Sequence, residues 1–175
     1  MKKVYNIDLS ASGIRELQNG LKEYEKWLKQ KSEELCRRLA DMGLAKASLY
    51  FSSALYDGIN DASVSVSAVE SGYKVEANGS TVLFIEFGTG VHYPNAPTGE
   101  YIGADGMVHG SYGKGLGNND YWFYTGQPGN AGGELAHGHK NTTITHGNPP
   151  NMPMYNTVKE LEMELERVVK EVFTL

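Results

Sequence analysis

Three neighbouring histidines are the side chains in this sequence best suited to chemistry. His137 and His139 alternate, and His146 follows shortly after them. On a strand, two alternating side chains point to one face, where a third histidine could complete a zinc site. The nearest carboxylate is Glu134, so neither a fourth ligand nor a general base can be assigned. Solvated or interface histidines therefore explain this pattern better than a metal site.

The common catalytic motifs do not occur in the sequence. Gly113-Lys114-Gly115 lacks the spacing of a phosphate-binding loop, and Asp120 stands where the last glycine of a dinucleotide-binding motif would fall. Neither G-x-S-x-G nor H-E-x-x-H is present, which removes the usual support for a serine hydrolase or a zinc peptidase. We therefore predict a protein that is not an enzyme, with no catalytic residues, no metal and no cofactor.

Glu86 is a charged residue inside the apolar run Phe84-Ile85-Glu86-Phe87. If this run is a strand, Glu86 shares a face with Val82 and Phe84, and a buried carboxylate there needs a partner. The partner could be a basic side chain or backbone donors, from its own or a neighbouring chain. If Glu86 instead lies at a solvent-exposed end of the sheet, the carboxylate needs no partner. Catalysis by a lone glutamate is the least favoured interpretation.

Length, composition and charge indicate a single globular domain. The chain has 175 residues, 40% hydrophobic content and a mean hydropathy of -0.42. A net charge of -5 argues against tight binding to duplex DNA, which depends on Lys and Arg. Cys36 is the only cysteine, which excludes an internal disulfide. Asn6 and Asp8 interrupt any signal-peptide core, and no apolar run reaches the roughly 18 residues that span a bilayer.

Apolar periodicity predicts the helices. An apolar stripe from Ile14 to Met42 predicts a long core-facing helix over about 12–42 rather than a free-standing coiled coil, and Gly43 ends or bends it. A second helix is expected over 44–56, closed by Asp57-Gly58. The last helix starts at the proline-rich segment and buries a face of valines and leucines.

A period of two predicts the strands. Val4, Tyr5, Ile7 and Leu9 indicate a short first strand, and residues 62–68 alternate between apolar and serine. Residues 73–77 would form the next strand, Asn78-Gly79 is a hairpin signal, and residues 81–87 would form a third. These strands together predict an antiparallel meander.

Residues 88–150 hold most of the glycines and all five histidines, which is typical of a long functional or disordered loop. Short strands at 121–124 and 142–145 are expected to pair within it. Aromatic side chains on an adaptable backbone favour protein contact, since single-stranded nucleic acid would need a basic groove. We assign the predicted interface to Tyr112, Lys114, Tyr121, Trp122, Phe123 and Tyr124.

The predicted fold class is α+β, with a long N-terminal helix and a C-terminal helix packed on a small antiparallel sheet. One domain covers 1–175. Residues 1–87 form the strand, helices and meander, 88–150 a glycine- and aromatic-rich loop insertion, and 151–175 the C-terminal helix.

Two motifs resemble the tail-component family of long-tailed phages, the tail-completion or head-tail joining proteins of the neck. The first, at the predicted strand exit, is Glu86, Phe87, Gly88, Thr89 and Gly90. The second opens the last helix and consists of Pro150, Pro153 and Met154, where phenylalanine is frequent in the family. The glycines around Lys114 and the aromatic strand are similar to variants from phages of Gram-positive hosts. A long insertion between the motifs departs from the family pattern.

The resemblance implies a structural virion protein that is assembled in the host cytoplasm and located in the neck. A ring of six copies would dock between the head connector or stopper protein and the tail terminator or tail tube protein. Phage DNA would pass through the ring without specific binding, because an acidic wall repels phosphate. No membrane partner is implied. The alternatives are a metal-dependent enzyme using His137, His139 and His146, and a minor structural protein elsewhere in the virion.

Overall fold

The computed structural model describes Asp8 and residues 10–89, 121–145, 147–148 and 150–174, without the side chain of Trp122. The first strand predicted from Val4 to Leu9 lies outside these residues. Within them, the chain forms three helices and five strands and has the predicted α+β class. The elements in order are α1 (Ala11–Ser52), β1 (Ser63–Val69), β2 (Gly72–Asn78), α2 (Val82–Phe87), β3 (Trp122–Thr125), β4 (Glu134–Leu135), β5 (Thr142–Thr145) and α3 (Pro153–Phe173).

α1 is one continuous helix where the sequence predicted two. Ser10 caps its first turn, because the serine hydroxyl accepts a 3.2 Å hydrogen bond from the Gly13 amide. Gly43 does not end it but lies buried where α1 meets β2 and α3. A Cβ at position 43 would lie 3.2 Å from Val75 Cγ2 and 3.4 Å from Leu161 Cδ1. The glycine therefore serves close packing, and α1 continues to Ser52.

α2 replaces the predicted third strand, so the predicted meander is a two-stranded β1–β2 hairpin. The Asp61 carboxylate accepts hydrogen bonds of 2.6–3.0 Å from the amides and hydroxyls of Ser80 and Thr81, just before α2. Gly79 has a φ of 145°, and a Cβ there would lie 2.7 Å from the Asp61 carbonyl oxygen. Asn78-Gly79 therefore leads the chain into α2 rather than into a hairpin.

The core forms where α2 meets the end of α1. Ile85 of α2 is fully buried and packs in one cluster with Phe51 and Ala54. Val64 and Ala77, which face each other across the β1–β2 pair, pack against this cluster. The alternation predicted for residues 62–68 is confirmed as far as Ser67, since half-buried Val64 and Val66 alternate with exposed serines, whereas Ala68 is exposed.

A second sheet lies inside the predicted loop insertion. β5 is its central strand, with β3 and β4 antiparallel on either side. Trp122 is opposite Thr145 in this sheet, which confirms the predicted pairing of the two short strands. The described residues therefore contain two small sheets, and β4 is the strand of the second sheet that was not predicted from the sequence.

α3 packs antiparallel to α1. Lys46 forms a 2.5 Å ion pair with Glu160 near the start of α3, and the rings of Trp27 and Phe173 meet edge to face near its end. The first turns of α1 extend past this contact, and Ile14 there is 45% exposed. No helix among the described residues is long and apolar enough to cross a membrane.

Enlarging residue 43 tests the packing role of Gly43. We expect Gly43→Leu to lower the free energy of unfolding by about 1–3 kcal/mol, because the new side chain would overlap Val75 and Leu161. Ser48→Leu, at an exposed position of α1, is the control and should change it by less than about 0.5 kcal/mol. Urea denaturation measures both. Equal effects would show that Gly43 is not a packing contact.

Asp61 should make stability depend on pH. Hydrogen bonds from the Thr81 hydroxyl and then from Ser80 hold the pKa of Asp61 well below its usual range. A lowered folded-state pKa gives stabilisation that is present above the unfolded pKa of about 4 and is lost as pH falls towards the folded value. Asp61→Asn should therefore lower the urea midpoint at pH 7, with a gap from wild type that narrows below about pH 4.

The matched control is Asp41→Asn, which makes the same charge change at an exposed carboxylate 3.9 Å from Arg37. It should leave the midpoint nearly unchanged, because exposed ion pairs contribute little. A gap between Asp61→Asn and wild type that stays constant from pH 7 to pH 3 would contradict the role given to Asp61.

Candidate functional site

The two sequence motifs meet at the first turn of α3. The Glu86 carboxylate accepts hydrogen bonds from the backbone amides of Met154 (2.8 Å) and Tyr155 (3.0 Å). The backbone amides of Asn151 and Met152 donate to the carbonyl oxygens of Ile85 and Glu86, at 3.0 and 3.2 Å. We call this contact between residues 85–86 and 151–155 the motif junction.

The position of Glu86 corrects the sequence prediction. Glu86 lies on α2 rather than on a strand and is 7% exposed. Of the partners left open, backbone donors of the same chain are observed at the N-terminus of α3, where the helix dipole favours negative charge. Pro153 and Met154 open α3 as predicted, and Pro153 has no amide hydrogen to satisfy.

A β-bridge closes the base of the insertion beside the motif junction. Thr89 and Asn148 exchange backbone hydrogen bonds of 2.9 and 2.7 Å, and the Asn148 side chain donates to the Thr89 hydroxyl at 3.0 Å. Gly88 before the bridge has a φ of 74° and is buried. The predicted strand exit is thus a helix exit that needs a glycine. Gly90 lies outside the described residues.

Three asparagine side chains bind the chain that follows α1. Asn130 and Asn151 each accept from and donate to the backbone, Asn130 at Tyr56 and Ala54 and Asn151 at Leu55. Asn148 accepts a 2.5 Å hydrogen bond from the Asp57 amide. The sequence analysis missed all three residues. Their only sequence signal, a neighbouring glycine or proline, indicates a turn and says nothing about a distant partner.

Asp57 is a buried carboxylate next to this asparagine contact. It is 5% exposed and accepts hydrogen bonds from the Gly133 amide (2.9 Å) and the Thr145 hydroxyl (2.7 Å). A Cβ on Gly133 would lie 2.7 Å from a carboxylate oxygen, so only glycine allows this approach. Asp57 therefore ties the loop after α1 to the second sheet.

A cavity of about 380 Å³ opens between the loop after α1, α2 and the second sheet. We call it the junction cavity. Tyr56, Asp57, Tyr124 and Thr145 are among the residues that line it. Its further lining residues are Gly58, Ile59, Phe84, Thr89, Thr125, Gly126, Gln127 and Asn148.

The predicted aromatic interface is divided between two faces of β3. Tyr121 and Phe123 are exposed, and their rings meet edge to face at 5.7 Å. Tyr124 is half-buried and lines the junction cavity, where its hydroxyl donates to the Gln127 carbonyl at 2.9 Å. Tyr112, Lys114 and the side chain of Trp122 lie outside what the structure describes.

His137 and His139 do not lie on a strand, so the arrangement that the zinc alternative required is not observed. They are exposed residues of the turn between β4 and β5, and the His139 amide donates to the Ala136 carbonyl at 3.0 Å. Their exposure agrees with the favoured interpretation of solvated or interface histidines. His146 lies outside the described residues. Within the described part of the chain, no group of three or more His, Cys, Asp or Glu side chains could hold a metal ion.

Comparisons of the chain with protein-family models, with curated proteins and with solved structures give no match. The interpretation of the site therefore depends on its own residues and their geometry.

Removing the charge of Glu86 tests the motif junction. Glu86→Gln should lower the free energy of unfolding by about 1–2 kcal/mol. The neutral glutamine side chain lacks the buried negative charge that interacts with the backbone amides in the first turn of α3. Glu162→Gln makes the same change at an exposed residue of α3 and should cost less than about 0.5 kcal/mol. Denaturant unfolding compares them, and equal losses would contradict this role of Glu86.

Proposed function

We propose that this chain is a structural protein of a phage neck, which docks as a ring of six copies between the head connector and the tail tube. The observation that carries the proposal is the motif junction. The two motifs that resemble the tail-component family lie far apart in sequence, yet the Glu86 carboxylate of the first binds the Met154 and Tyr155 amides at the second. Both motifs thus belong to one structural unit.

This unit supports a binding role for the insertion. The Thr89–Asn148 bridge brings the ends of the insertion together, and α1, α2 and α3 form the body behind it. Binding residues are commonly located on segments that a rigid scaffold positions. The exposed rings of Tyr121 and Phe123 offer aromatic surface of the kind found at protein interfaces. The insertion would accordingly contact neighbouring subunits or neck proteins.

The charge of the chain suits a channel for DNA. A ring of copies with a net charge of -5 each repels phosphate, so a genome could slide past its wall without being held. Retention of duplex DNA by the purified ring at physiological salt would count against this part of the proposal.

Deleting the gene from the parent phage tests the function. We expect DNA-filled heads to accumulate apart from tails in lysates viewed by electron microscopy, and we expect the restored gene to give complete virions. Normal virions without the gene would contradict the proposal. Joined particles with defective tail tips would place the protein elsewhere in the virion and would also contradict it.

A surface variant tests the binding face without disturbing the fold. Phe123→Ser removes a side chain that is 57% exposed, so stability should change by less than about 0.5 kcal/mol while the yield of joined particles falls at least about tenfold. Leu135→Ser, at a 47% exposed residue of β4 in the same sheet, is the control and should restore joining fully. Equal yields from the two variants would show that Phe123 does not belong to the interface.

A further inference from the structure

We propose that the junction cavity binds an organic cation, a guanidinium or ammonium group on an alkyl chain. This inference does not depend on the neck function.

The size of the junction cavity fits such a ligand. Its volume of about 380 Å³ lies within the range of small-molecule pockets, about 300–1,000 Å³. A single water occupies roughly 30 Å³, so the cavity is much larger than one water needs. An alkylated cation would fill a large part of it.

Asp57 supplies the negative charge. Its two carboxylate oxygens accept hydrogen bonds from the neutral Gly133 amide and Thr145 hydroxyl. A carboxylate offers about four acceptor positions, so further ones stay available. No basic side chain of the described residues forms an ion pair with it. The described donors to Asp57 are neutral, so a cation in the adjoining cavity would stabilise its buried negative charge.

Two tyrosine rings supply the walls. A Cβ on Gly58 would lie 3.3 Å from Tyr56 Cε1 and 4.0 Å from Tyr124 Cε2, so both rings lie beside this glycine. A Cβ on Gly126 would lie 3.3 Å from the Tyr124 ring. Both glycines have positive φ, which lets the backbone pass close to the rings. Aromatic faces attract guanidinium and ammonium groups, more strongly when water is excluded.

Tyr56 stays uncharged at neutral pH. Burial raises the pKa of the Tyr56 hydroxyl, and the nearby negative charges of Asp61 and Asp57 raise it further. Asp57 is the only carboxylate among the described residues that line the cavity, so the site offers one negative charge, which suits a monovalent organic cation better than a divalent metal ion.

Nuclear magnetic resonance titration of the full chain tests the proposal. The probe is n-butylguanidinium chloride at constant ionic strength, and n-butylurea is its neutral counterpart of nearly the same shape. We expect saturable shifts of the Gly58, Gly126 and Gly133 amide resonances with a dissociation constant on the order of 1 mM. Butylurea should bind at least about tenfold more weakly. No saturable shift, or equal binding of both compounds, would overturn the proposal.

Two variants test separately how much the Asp57 carboxylate and the Tyr124 ring contribute to binding. Asp57→Asn should weaken binding of butylguanidinium at least about tenfold, because the cation loses its carboxylate. Since this change also touches the Thr145 contact, Tyr124→Leu provides a second test and should weaken binding about threefold or more. Asp41→Asn, on exposed α1, should leave it unchanged. Unchanged binding in both cavity variants would overturn the proposal.

A second probe distinguishes an arginine side chain of a protein partner from a small free cation. N-acetyl-Gly-Arg-Gly-amide presents the same guanidinium on a peptide backbone. Tighter binding of the peptide than of butylguanidinium would indicate an arginine of a protein partner, whereas tighter binding of butylguanidinium would indicate a small free cation. Either result supports the site, and binding of neither probe overturns it.

Discussion

The hydrogen bonds from the first turn of α3 to Glu86 are the constraint on which the fold depends. Met152 before α3 has a φ of 52° and gives no side-chain cap, so the amides of Met154 and Tyr155 need an acceptor from another element. Glu86 provides it from α2. Because Ile85, the neighbour of Glu86, is fully buried in the core, this contact joins α3 to α2 and to the end of α1, in addition to the direct packing of α3 on α1.

Polar side chains attach the second sheet to this body. Asn130 and Asn148, which flank its strands, bind the backbone after α1, and Asp57 binds Gly133 and Thr145 in return. The strength of a hydrogen bond depends on the angle between donor and acceptor, so these contacts define the orientation of the second sheet. These hydrogen bonds hold the base of the insertion against the helical body. They leave the junction cavity open between the second sheet and that body.

The sequence predicted those elements that depend on local pattern. Alternating serines and valines gave β1, and the proline-rich segment correctly marked the start of α3. The run at 82–87 has the composition of a strand, yet Asp61, far away in sequence, organises its start as a helix. Gly43 looked like a helix end because its packing against Val75 and Leu161 is long-range. The asparagine contacts and the junction cavity are long-range as well, and no local pattern reveals them.

We propose that the motif junction organises a neck protein whose insertion contacts its neighbours. A cryo-electron microscopy reconstruction of the neck in purified virions of the parent phage tests this most directly. We expect a ring between connector and tail tube whose density fits α1 packed on α3, with β3 facing a neighbouring protein. A neck fully explained by other proteins, with this chain absent from the virion by mass spectrometry, would contradict it.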